Sequence, residues 1–80
     1  MRVVKEIPYQ HFKITIFHWN NRYLIKLESG SFEQTFKISE LDVFSEDEVM
    51  ALIDDTFLEQ ALQRFDDMAE SLSLSLGRHP

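Results

Sequence analysis

The sequence predicts an α+β domain: a three-stranded antiparallel meander, with a short fourth N-terminal strand left open, packed on one face by C-terminal helices. Two observations support this prediction. Apolar and polar residues alternate through residues 11–38, as they do in strands with one buried face. Residues 45–72 instead repeat their apolar positions at the spacing of a helix. We expect residues 1–80 to form a single domain, because a chain of this length supports one core.

The hairpin from Phe12 to Leu27 is the most strongly predicted element. Its two alternating runs meet at Asn20-Asn21, and adjacent asparagines tolerate the positive φ angles of a two-residue type I′ turn. Such a turn sets the register, and a slip by one residue would separate the apolar pairs. The predicted pairs are His18 with Tyr23, Ile16 with Ile25 and Ile14 with Leu27 on the core face, and Trp19 with Arg22, Phe17 with Leu24, Thr15 with Lys26 and Lys13 with Glu28 on the outer face.

A third strand completes the meander over residues 32–38, after a turn predicted at Ser29-Gly30. In this register Phe32 lies opposite Leu27, and Gln34 lies opposite Ile25 on the core face. A polar side chain at a buried position needs a hydrogen-bond partner. We therefore expect the Gln34 amide to be bonded by another part of the chain.

The helical part is predicted over residues 45–72. It starts with a capping box at 45–48, in which Ser45 accepts from the amide of Glu48 and the glutamate side chain returns to the serine amide. A second capping box at 56–59 favours a break near residues 54–56, because an unbroken helix would place Asp54 within an apolar stripe. A single kinked helix is the alternative. The stripe comprises Phe57, Ala61, Phe65, Met68 and Leu72.

Three segments lie outside these elements. Residues 1–8 are rich in β-branched side chains and end at Pro8, so they form either an arm or an edge strand. In the connector at residues 39–44 we expect Leu41, Val43 and Phe44 to lie under the apolar face of the sheet. Residues 73–80 alternate with period two, which at a chain end is typical of a fraying tail.

Composition excludes several classes of protein. The chain has no cysteine, so disulfides, thiolate catalysis and sulfur-ligated zinc are excluded. No apolar signal-peptide region follows Met1, and no run approaches the roughly 18 apolar residues of a membrane span, so we expect a cytoplasmic protein. The net charge of -6 argues against nonspecific nucleic-acid binding. The charge is uneven, with six basic and three acidic side chains in residues 1–39 and two basic and eleven acidic ones in residues 40–80.

No residue pattern indicates catalysis. His11 and His18 have opposite parity in one strand and leave opposite faces, and His79 lies in the predicted tail. With glycine only at positions 30 and 77, the chain cannot form a glycine-rich phosphate loop. Carboxylates on the helix form a stripe that is typical of a solvated face. We therefore predict no catalytic, cofactor-binding or metal-binding residue, and a protein that is not an enzyme.

The outer sheet face carries the one functional signal, which is an apolar group on a face predicted to meet solvent. Phe17 lies beside Leu24, and Trp19 lies beside Arg22. The leading interpretation is a noncatalytic protein-interaction module that contacts itself or another protein through these four residues. The first alternative is single-stranded nucleic acid, stacked on the aromatics and neutralised by nearby basic side chains. The second is that the N-terminal arm or the tail covers the group.

The segments HFKITIFHWNNRYLIKLESG, QTFKISELDV and ALQRFDDMA together make the chain similar to small single-domain bacterial proteins of uncharacterised function. This resemblance covers most of the length of the chain. It implies no activity, no cofactor and no site residue.

Overall fold

The computed structural model of the chain describes residues 1–79 and shows a four-stranded antiparallel sheet followed by two α-helices. The strands lie in the order in which they occur in the chain. The elements are β1 (Arg2–Ile7), β2 (Lys13–Trp19), β3 (Arg22–Ser29), β4 (Phe32–Ser39), a 3₁₀ turn (Glu40–Asp42), α1 (Glu46–Ala51) and α2 (Asp55–Arg78). The predicted α+β class is confirmed, with four strands rather than three.

The N-terminal segment is an edge strand. β1 pairs antiparallel with β2, and the register shifts between Val3 and Lys5, where a bulge adds one residue to β1. Val4 packs against the core from this bulge. Residues 2–7 therefore form an edge strand, which is one of the two alternatives that the sequence left open.

The β2–β3 hairpin has the predicted register in all seven pairs, from Lys13 opposite Glu28 to Trp19 opposite Arg22. Asn20 has a φ of 50° and Asn21 a φ of 60°, the two positive values that a type I′ turn requires. The turn chemistry and the apolar pairing agree with each other. The hairpin was therefore fully predictable.

The predicted register of β4 is wrong by two residues. Ser29 lies opposite Phe32 and Leu27 opposite Gln34, so the two-residue turn is Gly30-Ser31. Gly30 has a φ of 58° and takes the first turn position, as in a type II′ turn. The prediction placed this glycine second. A shift of two residues leaves every side chain on its predicted face, because the side-chain period of a strand is two.

The helical part is two helices, interrupted at residues 52–54. The N-cap of α2 is Asp54, whose carboxylate accepts from the amide of Phe57 at 2.8 Å. The carboxylate is therefore outside the apolar stripe, and it takes the capping role that the sequence pattern assigned to Thr56. At α1, Ser45 Oγ accepts from the amide of Glu48, as in the predicted capping box. The Glu48 carboxylate accepts from the amide one residue before the serine, that of Phe44.

The prediction of a tail from residue 73 is wrong for residues 73–78, since α2 continues to Arg78; residue 80 lies outside the described part. An isolated extended segment would leave its backbone groups without partners, whereas the helix pairs them locally. Leu72 and Leu76 follow Met68 at four-residue intervals and continue its stripe. Both leucines are exposed.

The connector differs from the prediction at two of its three apolar residues. Val43 packs against the core, but Leu41 and Phe44 are 95% and 99% exposed. The cause is the 3₁₀ turn, which is anchored by the Glu40 amide donating to the Asn21 carbonyl at 3.1 Å. With its amide bonded to Asn21, Glu40 places its own side chain towards the sheet, where it pairs with His18.

The core lies between the inner sheet face and the two helices. Gln34, half-buried on this face, has the partner that it required: its Nε2 donates to the Ala61 carbonyl at 2.8 Å, and its Oε1 accepts from Arg64 Nε at 2.8 Å. Aromatic rings of the sheet meet α2 in its first turn, Phe36 with Phe57, and near its middle, Phe12 with Phe65. The buried cluster is Phe12, Ile14, Ile16, Ile25, Leu27, Val49, Ala61 and Phe65.

Candidate interaction surface

The four residues predicted to form the interaction surface lie together on the outer face of β2 and β3. Phe17 is opposite Leu24 in the register, and Trp19 is opposite Arg22. We call these four residues the outer patch. The buried cluster that α1 and α2 cover contains none of them. The outer patch therefore lies on the face of the sheet that points away from the helices.

The members of the outer patch differ in exposure. Trp19 is 48% exposed and Arg22 is exposed, whereas Phe17 is half-buried and Leu24 is only 8% exposed. Leu24 lies in a central strand between Phe17 on one side and Lys37 on the other. Its burial comes from these neighbouring side chains. The groups of the outer patch that a partner could contact most directly are therefore the Trp19 indole and the Arg22 guanidinium. Phe17 is half-buried and Leu24 is buried beside them.

β1 flanks the outer patch without covering it. Val3 lies opposite Phe17 and is 53% exposed, so it extends the apolar surface towards the sheet edge. Met1 joins Phe17 and Leu24 in lining a shallow depression of about 230 Å³. The C-terminal residues belong to α2, which packs on the inner face. Neither the N-terminal residues nor the C-terminal residues bury Trp19. The interpretation that one of these segments covers the apolar group therefore does not hold at this residue.

Basic side chains on the outer face are only partly neutralised. Lys26 Nζ lies 3.6 Å from a Glu33 carboxylate oxygen and 4.0 Å from one of Glu28. Among residues 1–79, neither Arg22 nor Lys37 has a carboxylate within ion-pair distance. The outer face therefore keeps a positive character at the end that carries Trp19.

The histidines do not converge. His18 packs against Tyr23 on the inner face, with ring centroids 4.9 Å apart, and its Nε2 pairs with the Glu40 carboxylate. His11 lies at the other end of β2 beside Tyr9, and it lines a depression of about 650 Å³. Among residues 1–79, no three histidine, aspartate or glutamate side chains come together in a way that could hold a metal ion.

An ion pair joins β1 to α1. Arg2 donates to the Glu46 carboxylate at 2.6 Å, which connects the start of β1 to the first turn of α1. The hydrogen bond that Arg2 donates to Glu46 and the attraction of the carboxylate charge raise the pKa of the Arg2 guanidinium. Both side chains are largely solvated. A surface pair of this kind contributes little to stability.

Sequence reasoning missed two further apolar surfaces. One consists of the exposed residues Leu41 and Phe44, which follow the end of β4. The 3₁₀ turn that contains Leu41 is capped by Ser39, whose hydroxyl accepts from the amide of Leu41. A serine before an acidic turn was the available signal for this arrangement. The other surface is a groove of about 680 Å³ between β4 and α2, to which the helical extension that the prediction omitted adds Ser75. Its lining includes Phe32, Gln34, Arg64, Met68 and Leu72.

Comparison with family models, with curated proteins and with solved structures finds no match to this chain. The resemblance to small bacterial proteins stays a prediction. No helix within residues 1–79 combines the length and the apolar character that crossing a membrane requires.

Proposed function

We propose that this chain is a noncatalytic protein-interaction module that self-associates through the outer patch. The exposure of Trp19 is the observation that supports the proposal most strongly. A tryptophan with nearly half of its surface exposed, on a sheet face that the helices do not cover, is the type of residue that dominates the energy of protein interfaces. Arg22 lies directly opposite it and has a free guanidinium among the described residues. Arginine and tryptophan are both enriched in interface cores.

The composition of the surrounding surface favours a second copy as the partner. Val3 and Met1 extend the apolar area on one side, next to the half-buried Phe17. A two-fold contact would place the same patch on both partners, so each Trp19 would meet apolar surface. Lys26 with Glu28 and Glu33 would form a mixed-charge rim. A cytoplasmic location belongs to the same proposal.

Sedimentation equilibrium across a wide range of concentration tests the proposal. We expect the unmodified chain to associate, and we expect Trp19→Ala to raise the dissociation constant by about tenfold or more, since interface tryptophans contribute strongly. The matched control is Phe44→Ala, which truncates an aromatic side chain that is 99% exposed outside the outer patch. Association that responds to Phe44→Ala and not to Trp19→Ala would locate the contact at the connector and end the proposal. A strictly monomeric chain at high micromolar concentration would also end it.

Single-stranded nucleic acid is the alternative partner, and a separate titration tests it. Titrating the chain with single-stranded RNA at low salt should leave the fluorescence of its lone tryptophan unchanged if the outer patch binds protein. Quenching that disappears as salt is added would instead support nucleic acid, because phosphate contacts release counterions. The paired state of Lys26 and the net charge of -6 favour the protein partner.

A further inference from the structure

The two edges of the sheet are not alike. β1 contains a bulge at residues 3–5 and is followed by Pro8, and both features hinder pairing with another strand. β4 is eight residues long, pairs with β3 without a register shift, and contains no proline. It therefore presents a long, regular edge, of the kind that recruits a further strand.

The backbone groups available on this edge follow from the register. A two-residue turn closes the β3–β4 hairpin at Ser29 and Phe32, so this pair is hydrogen-bonded and every second residue of β4 repeats the arrangement. The amides and carbonyls of the intervening residues Glu33, Thr35 and Lys37 point away from β3. Among residues 1–79, none of them takes part in a backbone hydrogen bond beyond the strand pairing.

We propose that a second copy of this chain pairs with this edge, β4 against β4, antiparallel and centred on Thr35. Charge complementarity carries this choice of partner and register. With Thr35 opposite Thr35 of the second copy, Glu33 lies opposite Lys37 of the second copy, and the two-fold axis repeats that opposite-charge pair. A shift by two residues in either direction removes both pairs. Lys37 has no carboxylate partner within the described chain, so it is free to make this contact.

The inner face of β4 fits the same arrangement. In this register Phe32 lies opposite Ile38 of the second copy, and both residues are only half-buried in the single chain. Phe32 lines the groove with Met68 and Leu72 of α2, so the incoming strand would close the groove at the sheet edge. The pairing would turn two four-stranded sheets into one of eight strands and remove the exposed edge.

This contact is distinct from the outer patch and does not depend on it. The two outer patches of the paired sheets would lie on the same side. If both contacts form, two such pairs would stack face to face, giving a tetramer with three two-fold axes. If only one forms, the protein is a dimer. The β4 contact is therefore tested by the exchange of the outward β4 amides and by charge reversal at Lys37, which is not one of the four residues of the outer patch.

Amide hydrogen exchange followed by NMR gives the first readout. The amides of Glu33, Thr35 and Lys37 should exchange about a hundredfold more slowly at high than at low micromolar concentration, because they become hydrogen-bonded only in the pair. The amides of Gln34 and Phe36, which are bonded to β3, should be protected at both concentrations. Equal, fast exchange of the three outward amides at both concentrations would overturn the proposal, whatever the mass of the protein.

Charge exchange gives the second readout. Lys37→Glu places two like-charged pairs in the contact and should abolish the slow exchange, with a dissociation constant raised by about tenfold or more. The double variant Glu33→Lys with Lys37→Glu restores opposite charges and should recover the protection. Trp19→Ala should leave the β4 amides protected, which separates this contact from that of the outer patch. A Lys37→Glu variant that keeps full protection, or a double variant that fails to recover it while remaining folded, would overturn the β4 register.

Discussion

Leu24 and Ile25 are neighbours in β3, point to opposite faces of the sheet, and are nearly equally buried, at 8% and 2% exposure. Ile25 is buried beneath helices, in the cluster that contains Ala61 and Phe65. Leu24 has no helix over it and is enclosed by the side chains of the adjacent strands. Depth below a surface and fractional exposure are therefore different quantities. A residue under one layer of side chains can be closed to water without belonging to the core.

The largest effect is expected at Ile25. Ile25→Ala removes methylene and methyl groups from a site that helices and strands hold from both sides, so the cavity cannot collapse fully. The free energy of unfolding should fall by about 3 to 4 kcal/mol. Urea denaturation at low micromolar concentration, with an unchanged dependence on urea, measures this change. A loss below about 1 kcal/mol would mean that the helices do not pack as described.

Leu24→Ala on the other face is the matched variant, and its effect should be smaller. The flanking side chains Phe17 and Lys37 can move into the space, and water can reach the rest, so the cavity contribution largely disappears. We expect a loss of about 1 to 2 kcal/mol, mainly from lost transfer free energy. The same urea experiment compares the two variants. Equal losses for Leu24→Ala and Ile25→Ala would show that the outer face is covered by a layer of its own.

Gln34 tests the polar part of the inner face, with the third-largest effect. Gln34→Met keeps the length of the side chain but removes the bonds to the Ala61 carbonyl and to Arg64. A loss of about 1 kcal/mol is expected, the usual net contribution of such hydrogen bonds. Gln63→Met is the control, because Gln63 is exposed and bonds only to Asp67 one helical turn away. Thermal unfolding should place the control within about 0.5 kcal/mol of the unmodified chain.

The predictable parts of this fold are those in which two local signals agree. In the β2–β3 hairpin, two asparagines and the pairing of apolar residues specify one register. At Gly30, the prediction placed the glycine second in the turn, and the position of glycine within the turn decides between registers two residues apart. The LSLSL segment at residues 72–76 fits a period of two and a helical stripe equally well. Only the continuation of α2, which satisfies the backbone of this segment, selects the helix.

The sequence predicted which face of the sheet holds the outer patch, but not how exposed each of its side chains is. Strand parity places Phe17, Trp19 and Leu24 on one face, because alternation is a property of the backbone. How deeply Leu24 is buried depends on the width of its neighbours across the strands, which parity does not describe. The exposure of Phe44 depends on the anchoring of Glu40 to Asn21, a contact between residues distant in sequence. Properties set by local geometry were therefore predictable, and those set by distant contacts were not.

Trp19 should give the smallest effect on stability. About half of its surface already meets solvent, and it lies at the end of β2 beside the turn, so truncation leaves little unfilled space. Trp19→Ala should lower the free energy of unfolding by about 1 kcal/mol or less, measured at a concentration where the chain is monomeric. The change in the free energy of unfolding decides what a loss of association by Trp19→Ala means. A variant that folds normally and fails to associate assigns Trp19 to an interface. A loss as large as that of Leu24→Ala would instead show that the indole packs against the outer face of its own chain. The enclosure of Leu24 by neighbouring side chains would then continue along β2 as far as Trp19.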